Sequence, residues 1–183
     1  MHIAEQKYRE NIAEYLLYMW QIEDIIRAFN FDMEKIEHLL IRKNYEDEEL
    51  IVQVKNWYES LVRKMIREKI QEKGHLVELG EISGEMYFLH TTLVGTVRDE
   101  SYLKLYNEAL PFIGEFKEKS NIHTINEVEI ALTGLYTKLL LKLKGVEITK
   151  ETEEAFSTFR KMIAYLTRQF HKMKKGELNF QFN

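Results

Sequence analysis

The sequence predicts an all-α protein in which helices are joined by short connections. The 183 residues include one proline and eight glycines, whereas a strand-rich or loop-rich protein of this length needs many more turn residues. Hydrophobic residues make up 45% of the chain, and along most of it they recur at the three- and four-residue spacing of amphipathic helices. We therefore expect a single-domain antiparallel helical bundle of about six or seven helices.

Apolar periodicity and capping residues give the helices in chain order. The first is expected from about Ile3 to Ala28, where apolar side chains occupy more than one side of the helical wheel. The later boundaries depend on N-cap side chains and C-terminal glycines. These helices are expected from Asp32 to near Lys43, from Asn44 to Gly74, from Val77 to Val97, after Asp99, from the capping box of Thr124 and Glu127 to Lys144, and from Thr149 to Gly176.

We expect residues 1–176 to form the helical bundle domain and residues 177–183 to form a tail in which apolar residues alternate. The tail contains Phe180 and Phe182, which are unusual side chains for a free terminus. They either dock on the bundle or form a strand or clip that reaches a neighbouring subunit.

Composition excludes several classes of function. The chain has no cysteine, which excludes disulfides, thiolate metal sites and cysteine nucleophiles. Its net charge of −4 argues against nucleic-acid binding by bulk electrostatics. The apolar runs are too short to span a bilayer and the first residues lack a signal-peptide pattern, so we expect a soluble cytoplasmic protein without membrane partners.

Recognised metal and cofactor motifs give no positive signal. A di-iron bundle needs paired Glu-x-x-His motifs with two further carboxylates, and this set is not present. Walker-type and dinucleotide-binding glycine loops and the nucleophile elbow of hydrolases are also missing. We accordingly expect no metal, no cofactor and no catalysis.

The helix predicted from Val77 to Val97 has small residues along one face. Gly80, Gly84, Thr91 and Gly95 project close together on a helical wheel. Since an interior helical glycine costs up to about 1 kcal/mol relative to alanine, we expect another helix to cross closely here. A flat wall for a ligand and a late helix start near Ser83 are the alternatives.

A candidate pocket lies on the same helix. His90 falls on its apolar stripe together with Met86, and a histidine in this position is usually a hydrogen-bonded core residue. Because histidine titrates near neutral pH, a buried polar site is the alternative. The candidate pocket consists of His90, Gly84, Thr91 and Met86.

The first predicted helix provides a candidate interface. Leu16, Leu17 and Trp20 lie away from its main apolar stripe, so this helix is expected either to be central and packed in the core or to be covered by a partner chain, and we favour the partner chain. With Phe180 and Phe182 of the tail, they indicate a homo-oligomer, with a dimer as the first expectation.

The same helix has a charged cluster of Glu23, Asp24 and Arg27. We expect a solvated ion pair between Glu23 and Arg27, four residues apart. The alternative is a buried cluster that lines a pocket.

The segment Asn11–Ala28, NIAEYLLYMWQIEDIIRA, resembles the N-terminal signature of a family of small all-helical proteins from anaerobic gut bacteria. This family is a domain of unknown function. The segment Gly74–Leu79, GHLVEL, and the downstream His90 are similar as well. The resemblance covers nearly the whole chain and implies an all-helical fold, but it implies no activity, cofactor or catalytic residue.

Three functions remain open at this point. The first is a non-catalytic interaction or structural module that self-associates. The second is a small-molecule-binding protein or enzyme with a pocket between helices near His90. The third, a weak nucleic-acid binder, is disfavoured because the basic residues gather at helix C-termini, where the helix dipole favours them.

Overall fold

The computed structural model describes residues 2–178, and its regular secondary structure within this range is entirely helical. This confirms the predicted all-α class. Two π-helical turns interrupt the α-helices, at Glu37–Ile41 and Thr92–Thr96. The α-helices are α1 (His2–Glu10), α2 (Ile12–Ala28), α3 (Met33–Ile36), α4 (Arg42–Asn44), α5 (Glu48–Arg67), α6 (Val77–Thr91), α7 (Glu100–Lys119), α8 (Glu127–Leu143) and α9 (Lys150–Lys174).

The chain folds as two compact units. Within the described residues, the first unit contains residues 2–10 and 14–81, and the second contains residues 11–13 and 82–178. In the second unit α9 packs against both α7 and α8, which also contact each other. Among the described residues, no helix has both the length and the apolar character needed to cross a bilayer.

The first predicted helix is interrupted at Asn11, so the expectation of one helix from Ile3 to Ala28 is wrong. α1 ends at Glu10 and α2 begins at Ile12. The backbone N–H of Ile12 donates a hydrogen bond to Nε2 of His171, at 3.3 Å, on α9. This long-range partner satisfies an amide at the start of α2, and local periodicity could not reveal it.

Three predicted helix starts are confirmed. The side chains of Asp32, Asp99 and Thr149 each accept a hydrogen bond from the backbone N–H three residues later. The predicted cap at Asn44 is wrong, because this residue is the last of α4 and its amide donates to a carbonyl of the preceding turn. Asp47 caps α5 instead.

The predicted capping box of Thr124 and Glu127 is also wrong. Asn126 caps α8, and its side chain accepts from the backbone N–H of Glu129. The Thr124 hydroxyl accepts from the backbone N–H of Asn126 at 3.2 Å, so it supports the cap from outside the helix. Both side chains are good caps, and only the three-dimensional chain path distinguishes them.

Helix C-termini follow the predicted pattern except at α5. Gly145 and Gly176, with φ of +66° and +70°, follow the ends of α8 and α9 as expected. α5 ends at Arg67 rather than near Gly74, and Lys69 takes the left-handed conformation at φ +59°. The hydrogen bonds of this helix end outweigh the modest steric cost of a left-handed lysine.

The expected close crossing over the glycines of α6 is wrong. Within residues 2–178, no atom lies within 4 Å of the position that a Cβ would occupy at Gly80, Gly84 or Gly95, apart from local backbone and chain neighbours. The close approach is found at Gly134 on α8, where a Cβ would lie 2.7 Å from the ring of Phe159 on α9. Gly134 was not singled out in the sequence because it stands alone in an apolar run.

The variant Gly134→Ala is expected to lower the free energy of unfolding by about 1–3 kcal/mol, since the buried Phe159 ring must move to admit a methyl group. Chemical denaturation in urea measures this. Gly114→Ala is the matched control, because a Cβ at this exposed position on α7 meets open space. It should be neutral or stabilise by up to about 1 kcal/mol. Equal effects of the two substitutions would contradict the close packing at Gly134.

Candidate functional site

His90 lies in the interior of the second unit. It occupies the last turn of α6 and is 2% exposed. Its Nδ1 lies 2.8 Å from the hydroxyl of Tyr102, which is on the first turn of α7 and is fully buried. The rings of Tyr87 and Tyr106 lie beside the imidazole, with centroids 5.8 and 4.9 Å away. The structure thus places His90 as a hydrogen-bonded interior residue.

A carboxylate connects this histidine with the surface. Oε2 of Glu127, in the first turn of α8, is 3.6 Å from Nε2 of His90. The Tyr106 hydroxyl donates to Oε1 of the same carboxylate at 3.2 Å. The Glu127 side chain is 27% exposed, against 3% for His90. We call His90, Tyr102, Tyr106 and Glu127 the His90 cluster.

The electrostatics of the His90 cluster favour neutral rings. Burial lowers the pKa of His90, and the negative charge of Glu127 opposes this only in part. Burial likewise raises the pKa of Tyr102, and burial together with Glu127 raises the pKa of Tyr106 to about 12. Near pH 7 the cluster therefore consists of a neutral imidazole, two protonated phenols and an acceptor at its outer edge. This arrangement satisfies buried polar groups.

An anchor made by Asp99 lies next to the His90 cluster. One carboxylate oxygen of Asp99 accepts the backbone N–H of Tyr102 and so caps α7, at 2.9 Å. The other accepts the hydroxyl of Tyr165 on α9, at 2.8 Å. One side chain therefore fixes the start of α7 and also ties it to α9.

The four residues of the predicted pocket point to different sides of α6. His90 and Met86 are buried, whereas Gly84 and Thr91 are exposed. On a helix, positions 86 and 90 share one face, and positions 84 and 91 share nearly the opposite one. The structure therefore does not gather these residues around one cavity.

The predicted interface residues on α2 are mostly covered within the chain. Leu16 is fully buried, Trp20 is 4% exposed and Leu17 is half-buried. The Trp20 ring stacks on His75, with centroids 4.4 Å apart. The other two interface residues, Phe180 and Phe182, lie outside the described residues.

The charged cluster on α2 differs from the solvated Glu23–Arg27 pair that was expected. Glu23 is 1% exposed and accepts the backbone N–H of Leu76 at 2.9 Å, while its other oxygen lies 2.6 Å from Nδ1 of His75. Arg27 pairs with Asp24 at 2.9 Å. Its guanidinium also donates to backbone carbonyls of the loop between α5 and α6. These residues anchor that loop within the first unit. Helical spacing could not indicate His75 as a partner of Glu23, because the two residues are 52 positions apart.

Two cavities of about 540 Å³ each are found within the units. The one in the first unit has aromatic walls and paired charges, and its lining includes Tyr8, Tyr15 and Trp57. The one in the second unit is lined mainly by the rings of Phe112, Phe116, Phe156 and Phe159. His90 lines neither cavity. No group of three or more histidine or acidic side chains in the described part of the chain is placed to hold a metal ion.

The outward face of α6 presents a large apolar side chain beside a glycine. Phe88 is 69% exposed, and Gly84 lies one turn earlier on the same face. Thr91 continues this face, and its hydroxyl is bonded to the Phe88 carbonyl at 2.9 Å. Together, Gly84, Phe88 and Thr91 form what we call the Phe88 face.

A lowered pKa of His90 has a defined effect on stability. Because the folded state binds His90's proton less tightly than the unfolded chain does, its contribution is fully present above pH 6.5 and is lost as pH falls through the folded pKa. The wild type is therefore expected to lose more stability than His90→Gln between pH 7 and pH 5. Urea denaturation across this range measures the difference. His171, whose pKa is also lowered, is present in both proteins, and parallel pH profiles would contradict a buried neutral His90.

The contacts of Glu23 with the loop before α6 predict that two substitutions of this residue lower the stability by different amounts. Glu23→Ala removes the acceptor of a buried backbone N–H and should cost about 1–3 kcal/mol of the free energy of unfolding. Glu23→Gln keeps an acceptor and should cost less. Thermal or urea unfolding of both variants tests this order, with the exposed Glu81→Ala as a control expected within about 0.5 kcal/mol of wild type. A Gln variant as unstable as the Ala variant would oppose the assigned hydrogen bond.

Comparison with known proteins gives a family for this architecture but no activity. The family described as "Domain of unknown function (DUF4924)" matches residues 1–177. No curated protein and no solved structure matches the chain. The match confirms the expected membership of a family of unknown function and spans almost all of the sequence. This chain therefore belongs to the DUF4924 family.

Proposed function

We propose that this protein is a non-catalytic interaction module that forms a homodimer through the Phe88 face. The observation that carries the proposal is the 69% exposure of Phe88 beside the open backbone of Gly84. A large exposed aromatic side chain next to an uncovered glycine is unfavourable in an isolated protein, both for hydration and for helix stability. A partner that covers both would offset these costs.

The shape of the Phe88 face is self-complementary. Phe88 protrudes, whereas Gly84 leaves a notch one helical turn away. If two copies meet in antiparallel orientation about a twofold axis, each Phe88 ring lies over the Gly84 of the other copy. A two-fold interface requires this kind of reciprocal contact, and small residues allow helices to approach closely.

Charge is compatible with a second copy. An isologous interface places each patch against itself, so an unpaired charge at its centre would repel its own copy. Of the two carboxylates beside the face, that of Glu85 is paired with Lys174 of α9. The exposed Glu81 lies two turns before Phe88, and in the antiparallel arrangement it faces the uncharged Thr91 of the other copy rather than its own counterpart. Thr91 and Thr92 are uncharged, and their hydroxyls both bond to the Phe88 carbonyl.

The His90 cluster supports a structural role beneath this face. Its imidazole is neutral and buried. Nδ1 of the ring is hydrogen-bonded to the Tyr102 hydroxyl, and Nε2 lies 3.6 Å from Oε2 of Glu127. We propose that it stabilises the junction of α6 and α7 and so supports the backbone that carries Phe88. Catalysis or ligand binding at His90 would instead need a cavity reaching its ring.

The finer architecture is also a proposal. α7, α8 and α9 contact one another pairwise and are joined by short segments, residues 120–126 and 144–149. Short connections between contacting helices favour antiparallel neighbours. We propose an antiparallel three-helix arrangement in the second unit as the support for the Phe88 face.

The variant Phe88→Ser should weaken self-association at least tenfold while leaving the fold intact, since the side chain is mostly exposed in a single chain. Sedimentation velocity over a concentration series measures this. Ile125→Ser is the matched control, because Ile125 is 76% exposed in the loop before α8 and should not change the association constant. A concentration on the order of 100 µM is enough to detect a weak dimer. A wild-type protein that stays monomeric at this concentration would refute the proposed interface. Equal weakening of self-association by both variants would refute it as well.

Leucine substitutions at two glycines test the notch at Gly84 separately from Phe88. Gly84→Leu should stabilise α6 in the single chain, because open space surrounds its Cβ, but it should block the seat of Phe88 and reduce dimer formation. Gly114→Leu on α7 gives a comparable gain in helix propensity and should leave dimer formation unchanged. If both variants associate like the wild type, Gly84 is not part of the interface.

A further inference from the structure

The cavity of the first unit is bounded by α1, α2, α5 and the beginning of α6. Its volume is about 540 Å³, which is within the range of small-molecule sites. Tyr8, Tyr15 and Trp57 provide three aromatic rings, and Met19 and Leu61 provide aliphatic surface. The Tyr8 and Tyr15 rings meet edge to face, with centroids 5.1 Å apart and an angle of 82° between their planes. The wall is thus suited to a flat apolar surface.

The charges around this cavity are paired. Lys64 holds both carboxylate oxygens of Glu78, at 3.0 and 2.8 Å. Arg9 lies 3.9 Å from Glu5, on α1. With two cations and two carboxylates lining the cavity, the site has no net charge. Without a net charge, the cavity offers no overall electrostatic attraction to an ionic ligand, which favours a neutral one.

Among the hydroxyls that line the cavity, that of Tyr15 lies on the less exposed of the two tyrosines, because Tyr8 is 49% exposed. It makes no hydrogen bond with any residue that the structure describes, although the ring is half-buried. Burial and the nearby carboxylate of Glu78 raise the pKa of Tyr15 to about 12. The phenol therefore keeps its proton at neutral pH and can donate to an acceptor in the cavity. Since Tyr15 is not among the fully buried side chains without a partner, its hydroxyl is open to the cavity, and the acceptor of a ligand can take the place of water there.

We propose that the cavity lined by Tyr8, Tyr15 and Trp57 binds a neutral, planar heteroaromatic small molecule whose ring acceptor takes a hydrogen bond from the Tyr15 hydroxyl. The rings supply stacking and edge contacts, and Met19 adapts to the outline of the ligand. The site lies within the first unit and does not involve the Phe88 face. Ligand binding in this cavity is therefore a second function, and its test does not depend on whether the protein forms a dimer.

Quinoline is a suitable probe because it is planar, neutral at pH 7.5 and has one ring-nitrogen acceptor. In a ¹H–¹⁵N NMR titration, it should shift the indole N–H signal of Trp57 saturably, with a dissociation constant of about 1 mM or lower for so small a molecule. The Trp20 signal should move less, since this side chain is buried outside the cavity. N-methylquinolinium has the same shape with a positive charge and no acceptor, and it should bind at least fivefold more weakly.

A single-atom change tests the hydrogen bond. Tyr15→Phe should weaken quinoline binding about tenfold, the usual effect of one lost hydrogen bond, and leave the binding of naphthalene unchanged because naphthalene has no acceptor. Tyr87→Phe in the second unit is the matched control and should alter neither affinity. Circular dichroism establishes that both variants are folded.

Several results would overturn the proposal. One is a Trp57 signal that does not respond saturably to quinoline in the wild type, and this measurement needs no variant. Another is tighter binding of N-methylquinolinium than of quinoline, which would assign the cavity to cations. Equal losses of quinoline and naphthalene affinity in Tyr15→Phe would leave no role for the hydroxyl as a donor.

Discussion

The second unit depends on the hydrogen bond between His90 and Tyr102. Both side chains are almost completely buried, so each would carry a desolvated polar group without the other. The bond joins the end of α6 to the start of α7 across the π-helical turn Thr92–Thr96. Asp99, which caps α7 and accepts the Tyr165 hydroxyl, extends the same connection to α9. Three helices are thus positioned around a small set of satisfied polar atoms.

The first unit also contains a buried polar group that needs a partner, and here an acidic side chain accepts the hydrogen bond. Glu23 is buried on α2 and receives the backbone of the loop that precedes α6 through Leu76. His75 completes the contact and is covered on one face by Trp20. Buried ionisable groups of this kind add little net stability but penalise alternative chain paths. The loop path is specified by these contacts, although the loop contains few apolar residues.

The sequence predicted the helical class and several boundaries because these depend on local chemistry. Asp99 and Thr149 cap helices through their own first turn, and Gly145 permits the left-handed turn after α8. The break at Asn11 could not be predicted from local spacing, since the partner of the Ile12 amide after the break is His171, 159 residues away. The choice of Asn126 rather than Thr124 as the cap of α8 could not be predicted either. Both residues have good N-cap side chains, and only the three-dimensional chain path distinguishes them.

The candidate sites show the same division between local and long-range information. Helical spacing correctly places Gly84 and Thr91 on one face of α6, but it cannot show whether another helix covers that face. The structure leaves the face open and puts the close contact at Gly134. His90 was identified as an interior histidine from its apolar stripe, whereas its partners Tyr102 and Glu127 lie on later helices. The aromatic cavity was missed because Tyr8, Tyr15 and Trp57 come from three separate helices.

The contact between Ile12 and His171 also has a consequence for biosynthesis. Residues 11–13 belong to the second unit, whose remaining described residues begin at 82. During translation, the Ile12 amide has no access to this partner until 159 further residues have been made. The first unit consists only of residues up to 81, so it can form while the ribosome is still adding the later helices. The second unit, by contrast, can be completed only after α9 has been made, so residues 11–13 and the earlier helices of this unit depend longest on protection from aggregation.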